Sequence, residues 1–421
     1  MSFDPNIMQA IEQLNYRVTV GDVAAKAGLN VRVTQQSLLA LASDVGGHLQ
    51  VVNTGDIVYN FPNNFRNILQ NKYFRLRLQK ILDQVWGILF YLIKISFGIL
   101  LILSLVIIII AIIIIIVGLM FNQDDNNNNN SKSLVSVELI GRLFYCIFDW
   151  SWMFLNDDYN THYHTNHNAE EEKTMDFLPA VFSFLFGDGD PNAKLEQARW
   201  TQIGMVIRNN QNAIVAEQIS PYLDELGTGY NLEYESYMLP VLTKFNGVPQ
   251  VDSEGNIIYA FPELQTTVQE TNEPLIDDYL EEKLWKFSQA GESQISLSIF
   301  LGCFNFFGAL ILGFLLLKNH NLSKFGDLVI FVHSIYGVLL GYGIGFLAIP
   351  LGRYFWIQNK NSEIEKRNLQ REQRAIALQE PDEKLQNKIA STRQFAAQNL
   401  ITNQNITYST ETDLIEQELD E

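Results

Sequence analysis

Cysteine is almost missing from this sequence: 421 residues contain two, Cys146 and Cys303. A disulfide framework is therefore excluded. An iron–sulfur cluster, which takes four thiolates, would need ligands from a second chain. Positive charge is also scarce. The 29 Lys and Arg residues stand against 47 Asp and Glu, a formal net charge of -18 with a pI near 4.8. That balance disfavours general attraction to nucleic acid, whose phosphates reward clustered Lys and Arg. No GxGxxG, P-loop, GxSxG or HExxH string occurs, so no catalytic or cofactor-binding residue is assigned and an enzyme has no support from motifs. The segment Met1–Gln13 carries Asp4 and Glu12 and lacks both a basic stretch and an apolar one, so no signal or transit peptide is expected.

Long apolar runs, by contrast, are plentiful. From Val85 to Phe121 the single charge is Lys94, and the run ends in an isoleucine-rich block, Ile107–Ile116. A hydrocarbon core about 30 Å thick takes ~20 helical residues, so this run exceeds one crossing. Residues 95–120 are read as the span. Residues 85–94 are read as interfacial, with Trp86 and Tyr91 at headgroup level and Lys94 snorkelling. A hairpin would need a turn, and the run holds no Pro, Asn or Asp to make one. Two further runs, Ser293–Leu317 and Leu328–Pro350, flank the short polar linker Lys318–Asp327 and read as a helical hairpin. Gly337, Gly341, Gly343 and Gly345 in the second predict close packing against a neighbouring helix. His333 is either a ligand or a hydrogen-bond partner for a facing helix.

Sidedness is contested within the sequence. Arg66, Lys72, Arg75, Arg77 and Lys80 claim the cytoplasm for the N-terminal side. Arg353, Lys360, Lys366, Arg367, Arg371 and Arg374 make the same claim for the tail. Three crossings cannot satisfy both. Leu134–Leu155 could supply a fourth, but Glu138, Arg142 and Asp149 would each cost about 2.5–3.5 kcal/mol at the bilayer centre. An interfacial helix is preferred there, with Trp150 and Trp152 at the surface.

Outside the membrane, Val51, Gly55, Ile57, Tyr59, Phe61 and Pro62 recur in the same spacing as Val251, Gly255, Ile257, Tyr259, Phe261 and Pro262. Upstream, Val18, Val20 and Val23 correspond to Ile214, Ala216 and Ile219. Each copy reads as helix, short strand, small helix, longer helix, then two strands around a Gly-containing turn, which is the order of a winged helix. Asn231–Phe245 is expected as the recognition helix of the second copy, and Glu233 and Glu235 at its start would face phosphates. Polypeptide is therefore the expected partner, with DNA as the rival.

The chain divides accordingly. A winged-helix-like module is assigned to 1–62, a basic juxtamembrane helix to 63–84, and transmembrane helices to 85–121, 293–317 and 328–350. A low-complexity linker with an interfacial helix covers 122–175, a second winged-helix-like module 176–265, a linker 266–292 and a charged helical tail 351–421. The expected fold class is an α+β membrane protein with two winged-helix-like modules and about three transmembrane helices.

Smaller constellations carry less. Asp188, Asp190 and Asn192 have the spacing of a calcium loop, but Pro191, Ala193 and Arg199 break its pattern; a turn with Asn192 as N-cap of a helix Ala193–Asn209 is the alternative. His162, His164 and His167 lie in a polar stretch and could bind metal weakly, or be solvated linker. Phe65–Leu82 places apolar residues among five basic ones and could lie on an anionic surface. The helices of 362–397, broken at Pro381, are expected to be exposed. Candidate docking residues are Phe186, Asp188 and Asp190, with the strand aromatics Tyr59, Phe61, Tyr259 and Phe261.

The strings FLPAVFSFLFGDGDPN (177–192), AEQISPYLDE (216–225), FNGVPQVDSEGNIIYAFPELQ (245–265) and REQRAIALQEPDEKLQNKIASTRQFA (371–396) resemble a family of cyanobacterial and chloroplast multi-pass membrane proteins, sometimes labelled iron–sulfur cluster biosynthesis-like. Two cysteines do not fit that label. The resemblance implies a photosynthetic organism and, without a transit peptide, a cyanobacterial thylakoid or plasma membrane. It also implies a membrane scaffold or assembly factor, with membrane lipids and membrane or peripheral proteins as partners. A transporter or channel subunit and a membrane-tethered DNA-binding regulator are the alternatives. Membranes washed with alkaline carbonate should retain the chain in the pellet; its release into the supernatant would overturn the bilayer assignment.

Overall fold

The computed structural model describes residues 4–53, 55–72, 74–121, 176–252, 255–268, 276–319, 322–394 and 406–411, with Ala396, Asn399 and Leu400. The His162, His164 and His167 cluster, the interfacial helix at 134–155, Cys146 and the acidic terminus after Glu411 lie outside the described residues. The chain forms two units. One gathers residues 1–82, 190–284 and 361–421; the other gathers 83–189 and 285–360.

The first unit contains two small antiparallel sheets flanked by helices. Its N-terminal part runs α1 (Pro5–Gln13), β1 (Arg17–Thr19), α2 (Val20–Ala27), α3 (Val31–Val45), β2 (His48–Val52) and β3 (Ile57–Asn60). Local chemistry fixes these boundaries. Thr19 and Asp22 form a reciprocal capping box at the start of α2, and Asn30 accepts from the first-turn N–H groups of α3. Gly28 and Gly46 end the two helices in the left-handed conformation. The apolar faces of α1, α2 and α3 meet Val18, Tyr59 and Phe61 in one core.

The middle stretch runs α7 (Leu195–Asn209), β4 (Ala213–Ile214), α8 (Tyr230–Glu233), α9 (Leu239–Phe245), β5 (Val248–Val251) and β6 (Ile257–Ala260). Its sheet has the order β4-β6-β5, as the first has β1-β3-β2. Register agrees as well. Val18 pairs with Tyr59 and Ile214 with Tyr259, while Val51 pairs with Ile57 and Val251 with Ile257.

The two subassemblies pack through α2 and α7. A Cβ at Gly204 would fall 2.8 Å from the Cα and carbonyl oxygen of Ala25, so only hydrogen fits there. Asp22 is buried at this seam. It pairs with Arg208 at 2.8 Å and accepts from the Thr267 hydroxyl at 2.9 Å and the Val268 N–H at 3.3 Å. The α4 helix (Phe65–Lys72) corrects the surface-helix expectation for 65–82, because Phe65 and Leu69 are buried in the N-terminal core. They seal that core instead of facing lipid.

The second unit holds three long apolar helices, and the protein is a multi-pass integral membrane protein. They are α5 (Phe74–Phe121, apolar over 84–119), α10 (Glu292–Lys318) and α11 (Asp327–Gln379). The helix α11 continues through Pro350, which has no N–H to donate, past the expected end of the span. Between α5 and α6 stand the undescribed residues; α6 (Phe177–Phe186) has ten residues and rises about 15 Å, half a hydrocarbon core. Arg353 binds its C-terminus by donating to the carbonyls of Ser183 and Phe184 at 3.2 and 2.8 Å, the first of which also accepts from the Gly187 N–H; a cation there suits the helix dipole.

Close helix approach is made by one of the expected glycines and by two others. Among the four of α11, a Cβ at Gly343 would meet Phe306 and Asn305, whereas Gly337, Gly341 and Gly345 have nothing within 4 Å. The tight contacts belong to α10, where Gly302 lies under Phe346 and Gly313 under Tyr336. His333 is on the exposed side of α11 while Val329 and Val332 pack inward, and among the described residues it joins no ligand cluster. The buried polar link between helices is Asn305, which donates through Nδ2 to the Ser104 hydroxyl, a type of bond worth about 0.6–2 kcal/mol in a membrane.

Asp22→Ala should destabilise the first unit by about 3–5 kcal/mol, because it strands the Arg208 guanidinium at a buried seam. Urea unfolding followed by Trp fluorescence, compared with the exposed control Asp190→Ala, measures this.

Candidate functional site

The C-terminal helices, expected to be exposed, are bound into the first unit by charge. Arg371, fully buried on α11, donates to the Leu280 carbonyl at 2.9 Å and to Glu282 at 2.7 Å, and pairs with Asp224. Arg367 grips Glu282 in two parallel bonds of 2.8 Å, the fork geometry that makes such pairs strong. Asn368 completes the clasp by accepting from the Glu282 N–H and donating to its carbonyl. Arg374 donates to the carbonyls of Ser220 and Leu223. A run of Glu, Lys, Arg and Gln with few apolar positions reads as solvated, but the anchors here are the cations themselves.

The following helix, α12 (Glu383–Gln394), brings Lys388 against two carboxylates. Its ammonium donates to both oxygens of Glu217 at 2.9 Å and to Glu235 at 2.8 Å, and Glu235 also accepts from the Tyr259 hydroxyl at 2.8 Å. Burial first, then the hydrogen bond to Glu235, pushes the Tyr259 hydroxyl far above its ordinary pKa. Glu235 thus faces inward and is not presented on the surface of the expected recognition helix. Its backbone takes a left-handed conformation, φ 50°, and the predicted helix Asn231–Phe245 is broken there into α8, a single 3₁₀ turn (Ser236–Met238) and α9.

The predicted docking residues divide into two groups. Tyr59, Phe61, Tyr259 and Phe261 are core residues with at most 4% exposure. Tyr59 and Tyr259 sit in β3 and β6 and Phe61 and Phe261 just after them; all four pack into the cores, so the surface expected of them is not theirs. Phe186 is 43% exposed and rings with Phe97 and Phe182. Asp188 belongs to the membrane unit, where it accepts from the Ser183 hydroxyl at 2.5 Å and the Gln289 N–H at 2.9 Å. Asp190 belongs to the first unit and accepts from the Asn192 N–H. Asn192 is not an N-cap: α7 begins at Leu195, and Asn192 exchanges two 2.8 Å bonds with the backbone of Lys283.

Side chains that sequence reading passed over are the ones presented outward. Tyr230, Leu232, Tyr234 and Leu239 are 69%, 46%, 56% and 62% exposed around the break at Glu235, and Val33 and Leu39 are about half exposed on α3. Alternating periodicity gave no signal for the first group, since the segment was read as one amphipathic helix. No group of three or more His, Cys, Asp or Glu with metal-holding geometry occurs among the described residues.

These features define a multi-pass membrane protein carrying an α+β unit of two small sheets. Neither a family model nor a solved structure matches the chain. The Arabidopsis thaliana protein named "Uncharacterized protein At5g03900, chloroplastic" is 37% identical over 423 residues, covering 97% of this chain and 79% of that one. The chain belongs to the family of that chloroplast protein.

Burial pushes the Glu282 carboxyl up, but hydrogen bonds from Arg367 and Arg371 outweigh it and hold the pKa below the ordinary 4.5. A depressed carboxyl contributes stability above its unfolded pKa and loses it as pH falls through the folded one. The midpoint of thermal unfolding of the first unit should therefore drop as pH is lowered below about 4.5. Glu282→Gln should lower it at neutral pH and flatten that acid response, which circular dichroism against pH reads.

Proposed function

We propose that the protein is a non-enzymatic membrane scaffold or assembly factor whose first unit docks other polypeptides. The strand order and register shared by residues 17–60 and 213–260 support reading the unit as a duplicated winged-helix module. One observation carries the docking reading. The buried carboxylates Asp22 and Glu282 and the partly buried Glu235 are each engaged by a cation of the same unit, whereas tyrosine and leucine side chains around the second would-be recognition helix face outward. Internal ion pairs of this kind hold a surface in place; they leave those carboxylates no free partner for chemistry. Exposed tyrosine and leucine suit a protein interface.

The printed name of the Arabidopsis relative supports a photosynthetic setting. On that reading the membrane is a thylakoid or the plasma membrane of a cyanobacterium, and the partners are proteins of photosynthetic membrane complexes, with lipid around the spans and nucleic acid excluded. Affinity capture of the tagged full chain in mild detergent, followed by mass spectrometry, should return a defined membrane complex at near-stoichiometric yield. A chain that elutes alone from membranes of its own cell would remove the proposal.

A further inference from the structure

The surface that docks is defined by charge as well as by apolarity. No Lys or Arg stands between Arg208 and Lys244, while Glu217, Asp224, Glu225, Glu233 and Glu235 do. Three of these five are neutralised from within: Glu217 and Glu235 by Lys388, and Asp224 by Arg199 and Arg371. Glu225 and Glu233 remain exposed with no cation at ion-pair distance among the described residues. The nearest lysine along the chain, Lys244, lies over the Trp200 ring at 4.3 Å.

Between those two carboxylates the chain turns at Gly227 and Gly229, which have φ of 77° and 58°, and enters α8. The Tyr230 and Tyr234 rings lie 4.1 Å apart at 32°. Each is more than half exposed, with Leu232 between them in sequence. A ring pair open to solvent beside an unpaired carboxylate attracts a cation by two routes, the ring quadrupole and the anion. The adjoining leucine suits an apolar neighbour of that cation.

We infer that Tyr230, Leu232, Tyr234 and Glu233, with Glu225, form a docking surface for a basic, apolar polypeptide segment, one that presents Lys or Arg beside leucine-like side chains. The inference rests on the docking reading above and names the partner's chemistry. Phosphate backbones and anionic headgroups are repelled by the same two carboxylates, which sets a polypeptide cation apart from both.

The test uses the full chain in phosphatidylcholine nanodiscs, with empty discs as the blank, and a fluorescein-labelled peptide of repeating Lys-Leu-Leu-Lys. The comparison peptide carries Glu in place of each Lys. Fluorescence anisotropy should show binding of the Lys peptide that weakens with salt, and none of the Glu peptide. The double variant Tyr230→Ala/Tyr234→Ala, and separately Glu233→Lys, should weaken binding about tenfold or more. The exposed control Glu380→Lys should leave it within about twofold. Wild-type chain that ignores the Lys peptide, Tyr variants that bind like wild type, or a control that loses as much as Glu233→Lys would each overturn the inference. Capture of an unchanged complex by the double Tyr variant would sink this surface while leaving the scaffold standing.

Discussion

The first unit depends on one buried guanidinium. Arg371 reaches it from α11, whereas its partners Asp224, Leu280 and Glu282 come from the middle stretch of the chain. A cation taken out of water costs several kcal/mol unless its donors are met, and removal of one partner leaves the other charge stranded. Such a site therefore tolerates few arrangements. Asp224 is shared with Arg199 of α7, and Glu282 with Arg367, so the tail and the middle stretch are fixed together by a small network instead of a broad apolar face. Its carboxylates, Arg199 and the Arg367–Arg371 turn come from separate parts of the sequence, which makes the unit sensitive to any single loss.

A second buried cation decides local structure. Pro240, in the first turn of α9, bars one continuous helix across residues 231–245, and just upstream Lys388 and the Tyr259 hydroxyl both bind the Glu235 carboxylate. Meeting them places Glu235 at φ 50°, a conformation that costs a non-glycine residue about 1 kcal/mol or more. Two charge-assisted or buried hydrogen bonds outweigh that strain. The helix consequently stops, and the aromatic turn before it faces water. Pro240 marks this break locally, whereas sequence distance hides the other contributor, a lysine on a helix beyond the last span.

What could be read from the sequence follows the same division. The two β-hairpins were legible because Gly55 and Gly255 mark turns between alternating apolar residues, and alternation has a fixed period. The spans were legible because lipid demands about twenty apolar residues in a row. Misreadings arose where burial was carried by polar groups. Arg371 and Lys388 look solvated to any apolar count, so the tail was assigned to water. Recurrence of Tyr59 and Phe61 as Tyr259 and Phe261 was taken for a shared surface, though four inward positions explain it through a shared core. Gly337, Gly341 and Gly345 were expected at a helix contact, yet which glycine meets a neighbour depends on helix rotation, and the bulky partners Phe346 and Tyr336 chose the glycines of α10.

The membrane unit solves its polar problem by the same means. A ten-residue helix cannot cross the bilayer, and its free carbonyls would be costly near hydrocarbon. Arg353 donates to the carbonyl of Phe184 and to that of Ser183, which it shares with the Gly187 N–H, and its guanidinium rests 4.4 Å from the Phe287 ring. Asp188 just beyond is consumed by Ser183 and Gln289, which is why its spacing to Asp190 resembles a calcium loop without making one. In both units, then, the acidic groups that look chemically promising in sequence are held by neighbours of the same unit. Where a carboxylate is left over, as at Glu225 and Glu233, its charge is available only to something outside the unit. A chain of net charge -18 that neutralises its interior this thoroughly displays its surplus at the surface, and recognition of a cationic partner is the use that such a surplus permits.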